Sequence, residues 1–142
     1  MPSLTTSSRG GGYGDTEDKH ASGEYLSLRS SASIDTWVKV PGKMQCARAR
    51  CAAASLFGKF YVIGGVGDGQ VSATVDYYDS NNPDGWVKGP DLRQGRESHG
   101  ALVVLDRVYV VGGTGLDGDL LDTIEEACLF LTLAFTLTLT LC

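Results

Sequence analysis

Short apolar runs, separated by polar clusters rich in glycine, fill the middle of this chain. The runs are four to six residues long and rich in Val, Tyr, Phe and Ile, and the clusters between them hold Gly, Asp, Asn and Pro. Runs of this length and composition predict β-strands joined by tight turns. The brief links at 57–59 and 105–107 predict hairpins between antiparallel neighbours. Because no stretch has helical periodicity, the pattern predicts an all-β fold.

One strand pattern occurs twice at a fixed distance. Residues 60–65 (FYVIGG) return as residues 108–113 (VYVVGG), 48 positions later. A second anchor, WVK at 37–39, returns at 86–88 after 49 positions. A period near this length indicates one supersecondary unit per cycle. The paired glycines suit a strand end where the backbone takes positive φ or another segment passes close by.

These features resemble the kelch-repeat family, in which each repeat is one four-stranded blade of a β-propeller. The residues that carry the resemblance are two diglycines, the strand tyrosines and the tryptophans: Gly64, Gly65, Gly112, Gly113, Tyr61, Tyr77, Tyr109, Trp37 and Trp86. The resemblance implies an all-β, incomplete kelch-type β-propeller of about two four-stranded antiparallel blades plus a partial one. The aromatic residues are expected to pack inside the blades, with Trp86 against Tyr61 or Tyr77.

The repeats divide the chain into three parts. Residues 1–24, rich in Ser and Gly, predict a disordered lead. Residues 25–128 hold the kelch repeats, as a partial blade at 25–47, a full blade at 48–95 and a partial blade at 96–128, and residues 129–142 are a low-complexity Leu/Thr tail. A propeller needs about four to eight blades. We therefore expect a fragment, a truncated isoform or a mis-predicted gene product; the alternative is a chain that completes a ring by self-association. In either case, exposed blade faces and edges are expected to associate.

The Leu/Thr tail alternates apolar and polar residues with a period of two, which is the pattern of a strand. Two interpretations stay open: an incidental terminus, such as translated non-coding sequence, or an added strand. The run is shorter than the roughly 18 to 25 apolar residues of a membrane span. No membrane partner is therefore expected.

Charge and composition narrow the function classes. The formal net charge of −5 and the sequence pI near 4.8 argue against a nucleic-acid partner. Four cysteines, Cys46, Cys51, Cys128 and Cys142, show no metal-binding spacing, and neither histidine has the context of a catalytic triad. We expect no metal, no cofactor and no catalytic residue. The N-terminus lacks the pattern of a secretory signal, which predicts a cytoplasmic location, with a nuclear one as the alternative.

The resemblance implies a binding surface rather than an active site. In kelch propellers, partner contacts come from loops that correspond here to residues 66–72, 114–121, 42–47 and 91–97. The candidate contact residues are Arg48, Asp68, Arg93, Arg96 and Asp117. Arg48 and Arg96 match positions where the family often presents arginines to acidic peptides, since a guanidinium binds a carboxylate through two parallel hydrogen bonds. A structural role, pairing with a neighbouring blade, is the alternative for both.

The function implied is a non-enzymatic protein–protein interaction module. Within the family such modules often recognise substrates for ubiquitin ligase adaptors, a role that here would belong to a longer parent protein. Two alternatives stay open: a fragment of a kelch-type propeller enzyme, and a truncated product without function.

Overall fold

The computed structural model describes residues 8–11, 19–27, 36–79 and 81–127, and this part of the chain forms strands and no helix. The first antiparallel sheet holds, in this order, β1 (Ser8–Gly10), β2 (Gly23–Ser27) and β3 (Thr36–Lys39). The second holds β4 (Ala52–Leu56), β5 (Lys59–Ile63), β8 (Val75–Asp79) and β9 (Asn82–Lys88). The third holds β10 (Gly100–Val104), β11 (Arg107–Val111) and β12 (Ile124–Glu126). A small separate hairpin pairs β6 (Val66–Gly67) with β7 (Gln70–Val71).

The predicted all-β class and the antiparallel strand order are confirmed. Within the described ranges, one sheet has four strands and two have three. None of these residues lies in a helix long and apolar enough to cross a membrane.

Two-residue turns close the inner hairpins of the second and third sheets. Phe57 and Gly58 have φ of 49° and 72°, and Leu105 and Asp106 have φ of 45° and 61°. Positive φ at both positions is the feature of a type I′ turn, whose twist matches that of the flanking strands. The two hairpins have the same register, so each position of one hairpin has an equivalent in the other at the interval that separates the two diglycines.

Side chains of the second sheet alternate between two faces, because successive residues of a strand point to opposite sides. We call one the tyrosine face; it contains Leu56, Tyr61, Ile63, Val75 and Tyr77. The other, the tryptophan face, contains Phe60, Val62 and Trp86. The main core lies between the second and third sheets and contains Leu56, Tyr61, Ile63, Val75, Leu92, Val108, Val110 and Ala127. A smaller core joins Met44 to the tryptophan face.

Trp86 lies on the opposite face from the tyrosines that were expected to contact it. The rings of Tyr61 and Tyr77 stack on each other with centroids 5.5 Å apart. The ring of Trp86 instead packs against Phe60, with centroids 6.0 Å apart. The strand register gives the reason, since Trp86 pairs with Tyr78 and therefore shares its face. The expected contact between Trp86 and a tyrosine is wrong.

The segment expected to be a disordered lead contributes to the first sheet. Strand β1 lies within it and pairs with β2. The N–H of Gly11 donates to the carbonyl of Ser22 at 3.1 Å, and the N–H of Gly64 donates to the carbonyl of Thr74 at 2.9 Å. Gly11 is therefore the equivalent of Gly64 in an earlier repeat. The prediction of disorder is wrong for residues 8–11 and 19–24.

The predicted low-complexity tail, residues 129–142, lies outside the described residues. The same holds for Cys128 and for residues 1–7 and 12–18 of the lead.

The contact between Trp86 and Phe60 gives a stability prediction. We expect Trp86→Ala to lower the free energy of unfolding by about 3 kcal/mol, near the lower end for a large aromatic because Trp86 is only half-buried. Leu105→Ala, in an exposed turn, is the control and should change it by less than about 0.5 kcal/mol. Urea unfolding of the two variants measures both values, and an equal effect would contradict the packing described here.

Candidate partner-binding face

Loops from the second and third sheets meet at one end of the molecule. Ala49 forms a β-bridge with Val66, at the base of the β6–β7 hairpin, and Glu97 forms a β-bridge with Thr114. The N–H of Ser98 donates to the carbonyl of Arg50 at 2.9 Å, which joins the two segments that precede β4 and β10. We call this end the loop face. It contains segments 46–50, 66–72, 93–98 and 114–121.

Arg48 lies beneath the loop face and is fully buried. Its guanidinium donates to the carbonyl of Thr74 at 2.8 Å and to that of Gly64 at 3.3 Å. It also donates to the carboxylate of Asp76, with which it forms a buried ion pair. The other Asp76 oxygen accepts from the backbone N–H of Gln45 at 3.3 Å. Arg48 therefore ties the segment before β4 to the strand end of β5 and to the start of β8.

Arg96 makes the equivalent contacts in the next repeat and is also fully buried. Its guanidinium donates to the carbonyl of Gly112 at 2.8 Å and to the carbonyl of Thr123 at 3.3 Å. It forms an ion pair with Glu125, whose other oxygen accepts from the backbone N–H of Arg93 at 2.7 Å. The structure thus contains the same arginine anchor twice.

The burial of Arg48 and Arg96 corrects their assignment as partner contacts. Both guanidiniums donate their hydrogen bonds to the chain's own carbonyls and carboxylates, so neither is presented to an acidic peptide. A buried arginine needs such a partner because an unpaired charge in the interior is costly. The sequence carries a signal that was missed: each arginine is followed by its carboxylate, Asp76 or Glu125, at nearly the same spacing.

The second glycine of each diglycine allows the arginine segment to pass close by. Gly65 and Gly113 both have φ of +93°. A Cβ on Gly65 would lie 2.5 Å from the carbonyl oxygen of Ala49, and one on Gly113 would lie 2.5 Å from that of Glu97. Any side chain would therefore clash with backbone, and it would be strained by the φ angle as well.

Cys51 and His99 occupy equivalent positions at the two joints between sheets. His99 is buried, and its Cε1 would lie 2.8 Å from a Cβ on Gly64. Neither ring nitrogen makes a hydrogen bond, although the Ile63 backbone is close enough to favour the charged form weakly. Burial, reinforced by the charge of Arg96, lowers the pKa of His99 to about 4. Burial likewise raises the pKa of the Cys51 thiol.

The charged groups exposed on the loop face are different from the two anchors. Asp68 lies at the tip of the β6–β7 hairpin, Asp117 lies in the loop after β11, and the side chain of Arg93 is exposed. Sequence reasoning missed Arg50, whose exposed guanidinium donates to Glu97 at 3.1 Å across the joint between two sheets. The signal for Arg50 was weak, because its equivalent in the next repeat is Ser98.

The described residues bring no three His, Cys, Asp or Glu side chains together in a way that could hold a metal ion. A cavity of about 420 Å³ opens beside the β6–β7 hairpin. The residues that line it include both polar and apolar ones: Cys46, Gly67, Asp68, Gln70, Val71 and Ser72.

Comparisons with known proteins agree with this geometry. The family model described as the Kelch motif matches residues 47–82. A putative F-box/kelch-repeat protein of Arabidopsis thaliana is 37% identical over 60 residues, which are 42% of this chain and 16% of that protein. The solved structure of YjhT, a kelch propeller, superposes with a TM-score of 0.61 and 24% identity over 75% of this chain and 30% of that one.

Residues 47–82 match the Kelch motif, and the predicted resemblance to the kelch-repeat family is confirmed. The likeness to a kelch propeller confirms the predicted architecture, in which the three sheets are propeller blades. The chain spans about a sixth of the curated relative and under a third of YjhT.

The buried anchor gives a second stability prediction. Arg48→Met leaves Asp76 without its cation in the interior, so we expect the free energy of unfolding to fall by about 3 to 5 kcal/mol. Arg50→Met removes an exposed ion pair only two positions away and should cost less than about 1 kcal/mol. Chemical denaturation compares the two, and similar losses would contradict the anchor role. The double variant Arg48→Met/Asp76→Leu should recover part of the loss, because it removes both charges.

The buried histidine gives a prediction of pH dependence. The folded-state pKa of His99 is about 4, below the ordinary value of 6.5, so the unfolded chain binds the proton first. The contribution of His99 to stability is therefore fully present above pH 6.5 and is lost as the pH falls towards 4. His99→Cys, which copies the residue at the equivalent joint, should show a smaller loss of stability between pH 7 and pH 5. Parallel curves for the two proteins would show that His99 does not titrate with folding.

Proposed function

We propose that this chain binds a protein or peptide partner at the loop face. Kelch repeats are commonly protein-interaction modules. The observation that carries the proposal is the Arg50–Glu97 pair, which places an exposed guanidinium at the joint between two blades. Around it, the loops are fixed at their bases by β-bridges while their tips stay exposed. A rigid base under exposed tips supports recognition, because little order has to be gained on binding.

The charges of the loop face indicate the chemistry of the partner. Arg50 and Arg93 offer guanidiniums that bind carboxylates well. Asp68 and Asp117 lie at exposed loop tips and favour positive charge nearby. The partner segment that fits best carries an acidic side chain flanked by basic ones. The cavity beside Asp68 gives that segment a concave surface to enter.

The role in ubiquitin ligation is a finer form of the same proposal. The Arabidopsis relative combines an F-box with kelch repeats in its name, and this supports substrate recognition for a ligase adaptor by a longer parent protein. In that role the loop face would bind the substrate, in the cytoplasm or the nucleus.

A matched pair of variants tests the loop face. Arg50 and Arg107 have side chains that are 55% and 57% exposed, and each pairs with a glutamate, Glu97 or Glu126. Arg107 lies at the end of β11 that is opposite to the loop face, roughly 16 Å from that face along the sheet. On an array of peptides with one acidic residue flanked by basic ones, Arg50→Ala should weaken capture roughly fivefold, equivalent to about 1 kcal/mol. Arg107→Ala should leave capture unchanged, and equal effects of both variants would refute recognition at the loop face.

A further inference from the structure

The outer side of the third sheet carries an unusual amount of exposed apolar surface. Register places five large side chains on this side: Leu102, Val104, Tyr109, Val111 and Ile124. They occupy the repeat positions of the tyrosine face of the second sheet, so we call this surface the tyrosine face of the third sheet. Four of the five are exposed large hydrophobics.

Four of these five positions are buried one repeat earlier, and the fifth, at Ala54, is partly buried. Leu56 is 8% exposed and its equivalent Val104 is 43% exposed. Val75 is fully buried and its equivalent Ile124 is 65% exposed. In the second sheet these side chains pack against the third sheet. Apart from the Arg107–Glu126 ion pair, which register places on the same side, the exposed face therefore has the composition of a surface that another blade covers.

The backbone hydrogen bonds beside the two tyrosine faces show the same difference between the second and third sheets. The N–H of Gly65 donates to the carbonyl of Arg96 at 2.8 Å, and the N–H of Arg96 donates to the carbonyl of Ser72 at 3.2 Å. The equivalents of the outer two groups, the N–H of Gly113 and the carbonyl of Leu121, make no backbone hydrogen bond to a described residue.

The opposite end of the molecule exposes a matching surface. Trp37, on β3, is 43% exposed and occupies the repeat position of Trp86. In the second sheet the tryptophan face points towards the first sheet. Met44 packs on this face, and its backbone N–H donates to the carbonyl of Ala21, which lies just before β2. By the same repeat, the Trp37 side of the first sheet points away from the second sheet.

We infer that the tyrosine face of the third sheet binds the Trp37 side of the first sheet of a second copy, head to tail. The contact copies the blade-to-blade packing already present between the second and third sheets. It joins two different surfaces and is therefore heterologous. A closed pair of copies would contain twice the three sheets of one chain, a number within the range of about four to eight blades.

Complementation between two variants tests this contact. The full chain should sediment at twice its 15.0 kDa mass at micromolar concentration. Ile124→Lys and Trp37→Lys each remove one side of the contact, so each protein alone should sediment as a folded monomer. An equimolar mixture should recover a dimer, because it still contains one intact surface of each kind. Leu105→Lys, in an exposed turn outside the face, should stay dimeric.

Two results would overturn the inference: a monomeric unmutated chain, or a mixture of the two variants that stays monomeric. Val111→Lys replaces Ile124→Lys if circular dichroism shows that the latter has lost its strands. Peptide capture at the loop face is measured separately on the Ile124→Lys monomer, so failure of the dimer does not bear on the proposed function.

Discussion

A buried guanidinium is the constraint on which the rest of this structure depends. Arg48 donates to two carbonyls and one carboxylate, and these acceptors belong to the strand end of β5 and the start of β8. Because an unpaired arginine is so unfavourable in the interior, the chain must bring all these groups together at once. Arg96 imposes the same condition on the third sheet. Loop bases, diglycines and strand starts are thus fixed by one side chain in each repeat.

The sequence was sufficient to predict the features that recur in phase. The diglycines, the strand runs and the hairpin turns return at one constant interval, and local chemistry is enough to interpret each of them. A strand also has a period of two, so one residue decides which face a side chain occupies. Trp86 shows the limit of this reasoning. Its partner depends on its register with β8, and the register contains a β-bulge after Tyr78 that the sequence does not reveal.

Two other features, the inward direction of the anchor arginines and the role of Gly11, were not predicted from the sequence. An arginine at the end of a loop can point inwards or outwards. Its direction depends on whether the interior contains a carboxylate that can pair with the guanidinium. Asp76 and Glu125 are far from their arginines in sequence, and the nearly equal spacing of the two pairs acquires a meaning only when the fold shows that both arginines point inwards. Gly11 was not recognised as the equivalent of Gly64 because the distance between them differs from the repeat interval. The Ser/Gly-rich stretch around Gly11 also lacks the aromatic strand that marks the later repeats.

The anchored loop bases allow insertions to be made without cost to the sheets. The N–H of Ser72 donates to the carbonyl of Gly65, and the N–H of Leu121 donates to that of Gly113, at 2.8 Å in both cases. The second loop is slightly longer than the first, yet the pairing of the strands on either side is the same. Since closing a slightly longer loop costs little, the tips near Asp68 and Asp117 are natural sites for grafting foreign peptide sequences. The scaffold is therefore modular, because the loop tips can change while the contacts that fold each repeat stay the same.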